Sequence, residues 1–190
     1  MIVAVDGPAA SGKGTIARAL AAHFGLPHMD TGLLYRAAAR ATDLSQISFE
    51  DSELKTETVG GIASRISAYP LVREALFERQ RAFAGQAGGA VLDGRDIGTV
   101  IAPEAGIKLF VTARPEIRAR RRFAELKAAG MDVHFTDVLA DIHARDERDM
   151  GRAAAPLAMA EDAILLDTSD MSPDEAIRAA IAAVESRVQS

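Results

Sequence analysis

The first fifteen residues contain an apolar run, a glycine-rich turn and a lysine, in an order that is found in few folds. The apolar run at residues 2–5 predicts a buried strand, and apolar residues that recur every four positions after Lys13 predict an amphipathic helix. Between them lies a loop that begins at Gly7 and ends at Gly12 and Lys13. The sequence therefore predicts a strand, a glycine loop and a helix in direct succession.

Such a loop suits a polyphosphate. Its glycines permit tight turns that bring backbone N–H groups to phosphate oxygens, and the start of the helix adds unpaired N–H groups and a positive dipole end. We expect Lys13 to reach the β- and γ-phosphates and to act in catalysis. The predicted ATP-binding loop comprises Gly7, Pro8, Ala9, Ala10, Ser11, Gly12, Lys13, Gly14 and Thr15. Its Gly-Lys-Gly-Thr ending, with the hydroxyl one place later than in the general pattern, resembles nucleoside monophosphate kinases more than GTPases or motor ATPases.

The composition limits the classes of partner. With 190 residues, 48% of them hydrophobic and 26% charged, the chain suits one globular domain. A net charge of −5 argues against nucleic acid or an anionic membrane as the main partner, so clustered arginines call for a small anionic ligand. No stretch approaches the ~20 apolar residues of a membrane span, and a first strand at residue 2 leaves no room for a signal peptide. We therefore expect a cytoplasmic protein, and a monomer by default.

Cysteine and histidine usage narrows the kinds of metal site. The chain has no cysteine, which excludes disulfides and thiolate sites. Its four histidines show no paired ligand spacing, which argues against zinc. Asp93 closes an apolar run in the manner of a Walker-B strand, whose carboxylate helps to hold Mg²⁺. We expect Mg²⁺ to accompany ATP, held by Thr15 and, through water, by Asp93.

Strands and helices alternate along the rest of the chain. Further strands are predicted at 27–30, 90–94, 107–111 and 163–167, and helices at 33–41, 58–68, 71–84, 137–148, and after Pro115 and Pro173. This alternation predicts an α/β fold with a parallel sheet covered on both faces and the ligand at the C-terminal ends of the strands. Residues 43–57 show no sustained period and are predicted to form a mobile connection or a small appended segment.

Two groups of charged residues have a plain structural interpretation. The helix after Pro115 contains Arg118, Arg120, Arg121 and Arg122, and such a run is typical of a solvated helix face. Asp6 and Asp30 stand at the ends of the first two strands, where they could serve as structural groups.

Four further stretches resemble the motifs of bacterial cytidylate kinases. They are Asp-Thr-Gly-Leu-Leu-Tyr-Arg at 30–36, Asp-Gly-Arg-Asp-Ile-Gly-Thr-Val at 93–100, Arg-Asp-Glu-Arg-Asp-Met-Gly-Arg at 145–152 with Pro156 behind it, and Ser64 with Tyr-Pro-Leu-Val-Arg-Glu-Ala-Leu at 69–76. The resemblance covers nearly the whole chain. It implies transfer of the ATP γ-phosphoryl group to CMP or dCMP by a P-loop NTPase fold, a three-layer α/β/α domain with a five-stranded parallel sheet. It further implies one domain over 1–190, with a core at 1–36, 86–140 and 160–190, a monophosphate-binding segment at 37–85 and a lid at 145–157.

The same resemblance assigns roles to individual residues. It makes Arg36, Arg95 and Arg152 the ligands of the acceptor phosphate, Ser64, Arg73 and Asp96 the readers of cytosine, and Arg145 and Asp149 the ligands of the pentose. Arg148 joins Arg145 and Arg152 as the catalytic arginines of the lid. Thr31 and Tyr35 complete the predicted CMP site, although Thr31 could be a helix cap and Tyr35 a core residue. The chain departs from the family between Arg36 and Ser64, where the usual bacterial enzyme carries a longer insertion with strands of its own.

The chemistry of the residues agrees with this interpretation. Phosphoryl transfer between two phosphates gathers negative charge and needs no covalent nucleophile, so positioning and cations supply most of the acceleration. Guanidinium stays charged and grips phosphate with parallel N–H donors. Two alternatives stay open: a P-loop kinase for another small phosphate- or hydroxyl-bearing acceptor, and a nucleotide-dependent switch or non-catalytic ATP-binding module. A hydroxyl acceptor would need a carboxylate base, whereas a phosphate acceptor needs only arginines.

Overall fold

The computed structural model describes residues 1–40, residue 54 and residues 57–189. Five strands form one parallel sheet in the order β2-β3-β1-β4-β5. Their bounds are β1 Ile2–Asp6, β2 His28–Asp30, β3 Ala90–Gly94, β4 Ile107–Thr112 and β5 Ile164–Asp167. The predicted five-stranded parallel sheet is confirmed.

Seven helices lie between or after these strands in the described part of the chain. Their bounds are α1 Lys13–Phe24, α2 Thr31–Ala38, α3 Glu57–Ile66, α4 Pro70–Ala84, α5 Pro115–Ala128, α6 Phe135–Gly151 and α7 Pro173–Val188, and a short π-helical turn covers Ile97–Ile101. Helix α6 continues three residues past its predicted end, and α2 begins two residues before its predicted start and ends three residues before its predicted end. The predicted connection 43–57 falls almost wholly outside the described residues.

Local sequence signals explain where two of these helices begin and end. Gly25 takes the left-handed conformation, with φ of 65°, and closes α1. At α7, the Ser172 hydroxyl accepts from the N–H of Glu175 while the Glu175 carboxylate accepts from the N–H of Ser172, so the two residues form a capping box.

Helices cover both faces of the sheet because the residues of β1 alternate between two cores. Val3 and Val5 belong to a core that also holds buried residues of α1 and α7. Ala4, between them, belongs to a second core with Leu92 of β3 and residues of α4 and the π-helical turn. Strand periodicity of two thus produces the three-layer α/β/α architecture. No described helix is long and apolar enough to cross a membrane.

Parallel pairing places the loops after β1 and β3 at the same edge of the sheet. Val5 lies opposite Asp93, and Asp6 lies opposite Gly94. The glycine loop that follows β1 therefore faces the charged stretch that follows β3, although about ninety residues separate them in the chain.

Candidate active site

The glycine loop between β1 and α1 has a shape that requires glycine at two positions. A Cβ on Gly7 would lie 2.0 Å from the carbonyl oxygen of Val111 in β4, so only glycine fits there. Gly12 has φ of +92°, and its carbonyl accepts from the N–H groups of Thr15 and Ile16, each at 3.1 Å. The loop thus turns directly into the start of α1, where helix N–H groups lack intrahelical acceptors.

Helix α5 holds this loop from outside, which makes the expectation of a solvated arginine face wrong for two residues. Arg118 is only 3% exposed; it donates to the carbonyl of Ala9 at 3.3 Å and forms an ion pair with Asp146 of α6. Arg121 donates to the carbonyl of Ser11 at 3.3 Å. Backbone carbonyls of the loop and a largely buried carboxylate take the place that solvent was expected to occupy.

Thr168, which follows β5, completes the support of the loop. Its hydroxyl donates to the carbonyl of Ser11 at 2.9 Å, and its own carbonyl accepts from Arg121 at 2.6 Å. Thr168 was not predicted as a site residue, although its position directly after a buried strand is a signal in the sequence. Arg120, in contrast, is exposed as expected.

Lys13 lies half-buried at the start of α1, among the groups that line two cavities. Burial and the nearby Arg95 guanidinium lower the pKa of Lys13 to about 8, against the opposing effect of Asp93 and Asp30. The ammonium therefore sits in surroundings that do not fully balance its charge. An anion bound beside Lys13 would neutralise this charge.

The predicted Mg²⁺ ligands are Thr15, in the first turn of α1, and Asp93, near the end of β3; the Thr15 hydroxyl accepts from Arg18 at 3.4 Å. The Asp93 Oδ2 atom accepts from His28 Nε2 at 2.8 Å, while its Oδ1 atom faces the start of α1, 3.9 Å from the position of a Cβ on Gly14. A carboxylate and a hydroxyl are hard oxygen donors, which fit Mg²⁺. In the described part of the chain no three His, Cys, Asp or Glu residues are grouped to hold a metal by themselves. His28, which orients the carboxylate, was not predicted, because only the sheet brings the two side chains together.

Two cavities meet beside Lys13. One, of about 610 Å³, runs along the glycine loop towards α5, α6 and α7; the other, of about 1160 Å³, runs along β2, α2 and α4. Four predicted cationic site residues line both cavities, namely Lys13, Arg36, Arg95 and Arg145. A donor phosphate in the first cavity and an acceptor phosphate in the second would share these cations.

The predicted readers of cytosine form two separate contacts. Arg73 and Asp96 form an ion pair whose side chains are 11% and 8% exposed. Ser64 instead donates to Oδ1 of Asp149 at 3.3 Å, in the predicted pentose group. Ser67, which was not predicted, lies between the two groups: its carbonyl accepts from Arg73, and its hydroxyl donates to the carbonyl of Ser64.

The predicted phosphate ligands are held by protein acceptors. Arg95 Nε donates to Oδ2 of Asp149 at 2.8 Å, and Arg36 donates to the carbonyl of Leu54 at 2.9 Å. Arg152 donates from Nη1 to the Ser67 hydroxyl at 3.0 Å, while its buried Nε and Nη2 atoms meet no acceptor among the described residues. Burial raises the pKa of Asp149, but Arg95 and its neighbours together hold it below the ordinary value.

Eight residues of the predicted CMP site and lid line neither cavity. They are Ser64, Arg73, Asp96, Asp149 and Arg152, whose contacts are given above, together with Arg148, Tyr35 and Thr31. Arg148 is exposed on α6 and lines neither cavity. Tyr35 is 8% exposed and packs in a cluster with Leu34, Ala63 and Leu76, as its core interpretation requires. Thr31 is buried and donates to the carbonyl of Asp93 at 2.8 Å. The cap of α2 is Asp30, whose carboxylate accepts from the N–H of Leu33, so the helix-cap interpretation of Thr31 is wrong.

Comparison with known proteins gives one family. The family model described as cytidylate kinase matches residues 3–53 and 44–186, and the two matched segments overlap within the short connection after α2. The chain is 54% identical to a cytidylate kinase of Xanthobacter autotrophicus, with 98% of both chains covered, and 54% identical to one of Rhodopseudomonas palustris, with 97% and 96% covered. It is 52% identical to a cytidylate kinase of Brucella suis biovar 1, with 94% and 90% covered.

Solved structures agree with the fold. A protein from Eubacterium ventriosum ATCC 27560 superposes with a TM-score of 0.60 at 18% identity, with 98% of both chains covered. A gluconokinase from Sinorhizobium meliloti 1021 superposes with a TM-score of 0.56 at 16% identity, with 100% of this chain and 97% of that one covered. At such identities the likeness concerns the architecture.

Proposed function

This chain belongs to the cytidylate kinase family, and we propose that it transfers the γ-phosphoryl group of ATP to the phosphate of CMP or dCMP, giving ADP and CDP or dCDP. One observation of the site carries the proposal. Lys13 of the glycine loop and three arginines line two adjoining cavities together, so a donor and an acceptor phosphate can meet at one set of cations. Neutralising two phosphates is the main task of such a reaction.

The donor would lie along the glycine loop. Backbone N–H groups at the start of α1 would bind the phosphates, and the Lys13 ammonium would stabilise the negative charge that develops on the transferring group. Thr15 and Asp93 would hold Mg²⁺, with His28 orienting the carboxylate. The bound ion would neutralise the β- and γ-phosphate oxygens.

The acceptor phosphate would lie at the cations that the two cavities share, and its pentose and base would extend to Asp149 and to the Arg73–Asp96 pair, which line neither cavity. Its phosphate oxygen is already an anion and needs no general base, so arginines at fixed positions suffice to align it with the γ-phosphorus. We assign this to Arg36, Arg95 and Arg152, of which Arg152 keeps buried donor atoms without an acceptor among the described residues. Asp149 would bind the pentose with Arg145, and its contact with Arg95 ties the two subsites together.

The base would be read at the Arg73–Asp96 pair. Cytosine offers an amine beside two acceptors, N3 and O2, and a carboxylate with a guanidinium is the complementary set. Both side chains are largely buried, so a base with the wrong pattern would leave a charge unpaired. Ser64 would contribute through its position beside Asp149.

We propose further that residues 145–157 act as a lid. Arg148 is exposed, whereas Arg145 lines both cavities and Arg152 is half-buried. For all three arginines to serve the transferring group, the end of α6 would have to move towards the nucleotides. Closure would also exclude water that could otherwise accept the phosphate. The monomeric state and the cytoplasmic location stay predictions.

A coupled assay of ADP release tests the proposal. The acceptor is varied over CMP, dCMP, UMP, AMP, GMP and none, at fixed Mg-ATP. We expect turnover with CMP or dCMP far above that with purine monophosphates, and little ADP without an acceptor. High turnover without an acceptor would favour an ATPase or a nucleotide-dependent switch, and preference for another acceptor would favour a different small-molecule kinase.

A further inference from the structure

Asp6, the last residue of β1, makes two contacts that the proposed catalytic cycle does not use. Its Oδ1 atom accepts from the N–H of Ile97 at 2.8 Å, and its Oδ2 atom accepts from the N–H of Gly98 at 2.7 Å. Asp6 is buried, with only 5% of its surface exposed. One buried carboxylate thus fixes two successive peptide groups that lie more than ninety residues away in the chain.

The peptides that Asp6 fixes follow directly after two proposed ligands of the acceptor. Arg95 and Asp96 lie between the end of β3 and the π-helical turn, and each makes a side-chain ion pair, Arg95 with Asp149 and Asp96 with Arg73. A shift of the backbone at Ile97 would therefore move both side chains away from their partners.

The peptide group of Gly98, which Asp6 binds, is also packed tightly against Lys108. A Cβ on Gly98 would lie 3.0 Å from Cδ of Lys108 and 3.4 Å from Oδ2 of Asp6. Lys108 itself is 8% exposed and is held by the carbonyl of Pro103 and by Asp162. Neither neighbour of Gly98 can withdraw freely, so the peptide has little room to move.

We propose that Asp6 is a positioning residue for nucleoside monophosphate selection: its carboxylate holds the turn after Asp96, and thereby holds Arg95 and Asp96 in the geometry that binds CMP. This inference rests on the proposed function, because it takes Arg95 and Asp96 as ligands of the acceptor. Asp6 also directly precedes the ATP loop. An effect of Asp6 on CMP binding can be separated by experiment from an effect on ATP binding.

Two variants perturb the contact from opposite sides. Asp6→Asn leaves one carbonyl oxygen where two acceptors stood, so one of the two N–H groups loses its partner. Gly98→Ala presses a methyl group against Lys108 and Asp6 without touching the ATP loop. Val100→Ala, in the same turn but exposed, is the matched control.

The measurement is calorimetric binding of CMP and of ATP to each protein separately, with steady-state KM values and the CMP:UMP ratio of kcat/KM alongside. Burial raises the pKa of Asp6 to about 7, so pH 8 keeps the carboxylate ionised. We expect both variants to bind CMP about tenfold to a hundredfold more weakly, with a reduced CMP:UMP ratio and ATP binding within about twofold of the parent, because only the acceptor side loses its alignment. Val100→Ala should match the parent.

Three results would decide against the inference. If CMP and ATP binding weaken together, Asp6 acts through the ATP loop; if both stay unchanged while Tm falls, Asp6 is a structural group only. If Asp6→Asn does not fold, Gly98→Ala alone decides, and unchanged CMP binding in that variant overturns the role. A parent protein that binds ATP but not CMP would instead overturn the proposed function.

Discussion

At the scale of single residues, what surrounds Lys13 explains why this side chain suits its proposed task. Burial and Arg95 both act against its charge, whereas Asp93 and Asp30 favour it. A lysine with an incompletely balanced charge gains most when a phosphate arrives, and a site of low dielectric strengthens that interaction.

Replacing Lys13 by Met should abolish most turnover while the protein stays folded. The loss of a charge-assisted contact costs about 1.5–3 kcal/mol in ordinary settings and more where water is excluded, so kcat should fall at least about a hundredfold. The coupled assay measures turnover, and circular dichroism checks the fold. Lys127→Met removes an exposed lysine and is the control. Near-normal kcat in Lys13→Met would refute the role of the loop lysine.

Binding of ATP should weaken as the pH rises above 8. The pKa of Lys13 in the free protein is lowered to about 8, so above this pH the side chain loses the proton that the phosphates favour, and binding must restore it. The Kd for ATP should then rise by up to tenfold per pH unit, until the pH exceeds the higher pKa of the complex. Calorimetry between pH 7 and 10 measures this slope. Lys13→Met should lack it, and an equal slope in that variant would assign it to another group.

Discrimination between CMP and UMP should depend on the carboxylate of Asp96. Uracil places a carbonyl where cytosine has an amine, so two acceptors would face each other, and an unsatisfied buried charge costs roughly 1–3 kcal/mol or more. We expect CMP to exceed UMP by at least about tenfold to a hundredfold in kcat/KM, and Asp96→Asn, which supplies a donor, to reduce that ratio. If both rates fall together at an unchanged ratio, Asp96 positions other groups and does not read the base.

At the scale of elements, α5 shows how a helix of low apolar content can still be anchored. Arg118 joins the carbonyl of Ala9 in the glycine loop to Asp146 in α6. Two elements of the proposed mechanism, the ATP loop and the lid helix, are therefore tied to one guanidinium that solvent hardly reaches.

Replacing Arg118 by Met should destabilise the protein by about 3–5 kcal/mol, because removing one partner leaves the largely buried Asp146 uncompensated. Chemical denaturation measures the free energy of unfolding. Arg120→Met, on the exposed face of the same helix, should stay within about 0.5 kcal/mol of the parent. Equal effects of the two substitutions would mean that the ion pair contributes nothing specific.

At the scale of the whole molecule, the two cavities meet at shared cations, so binding in both should draw the ends of α6 and α2 together. Arg145 on α6 and Arg36 on α2 line both cavities, and Asp149 joins α6 to the stretch after β3. The filled protein should therefore be more ordered at the end of α6 than the empty one.

Amide exchange at residues 145–152 should slow when a bisubstrate mimic is added, since the arginines there would gain anionic partners. The first half of α6 is an internal control, because Val138 and Ile142 are buried against α5 and should be protected in both states. Mass-spectrometric exchange on the full chain gives both readouts at once. Equal protection of 145–152 with and without the mimic would contradict the lid.

The strand, glycine loop and first helix, the positions of the five strands and the capping box of α7 could all be predicted from the sequence. Each depends on residues within one or two turns of each other, where periodicity, glycine and capping residues act locally. The cationic residues Lys13, Arg36, Arg95 and Arg145 could also be predicted, because long motifs fix their order along the chain, and the structure brings them to one place.

Only the tertiary structure decided what the charged side chains face. An arginine on α5 has the same local pattern whether it meets solvent, as Arg120 does, or a loop carbonyl and a carboxylate, as Arg118 does. Two other contacts also join residues that are far apart in the chain. His28 and Asp93, which form a hydrogen bond, are 65 positions apart, and Asp6 is more than ninety positions from the N–H group of Ile97 that it binds. The sequence determined which elements form because short-range interactions govern them, and the packed sheet decided their partners because hydrogen bonds of buried charges depend on distances that only the fold sets.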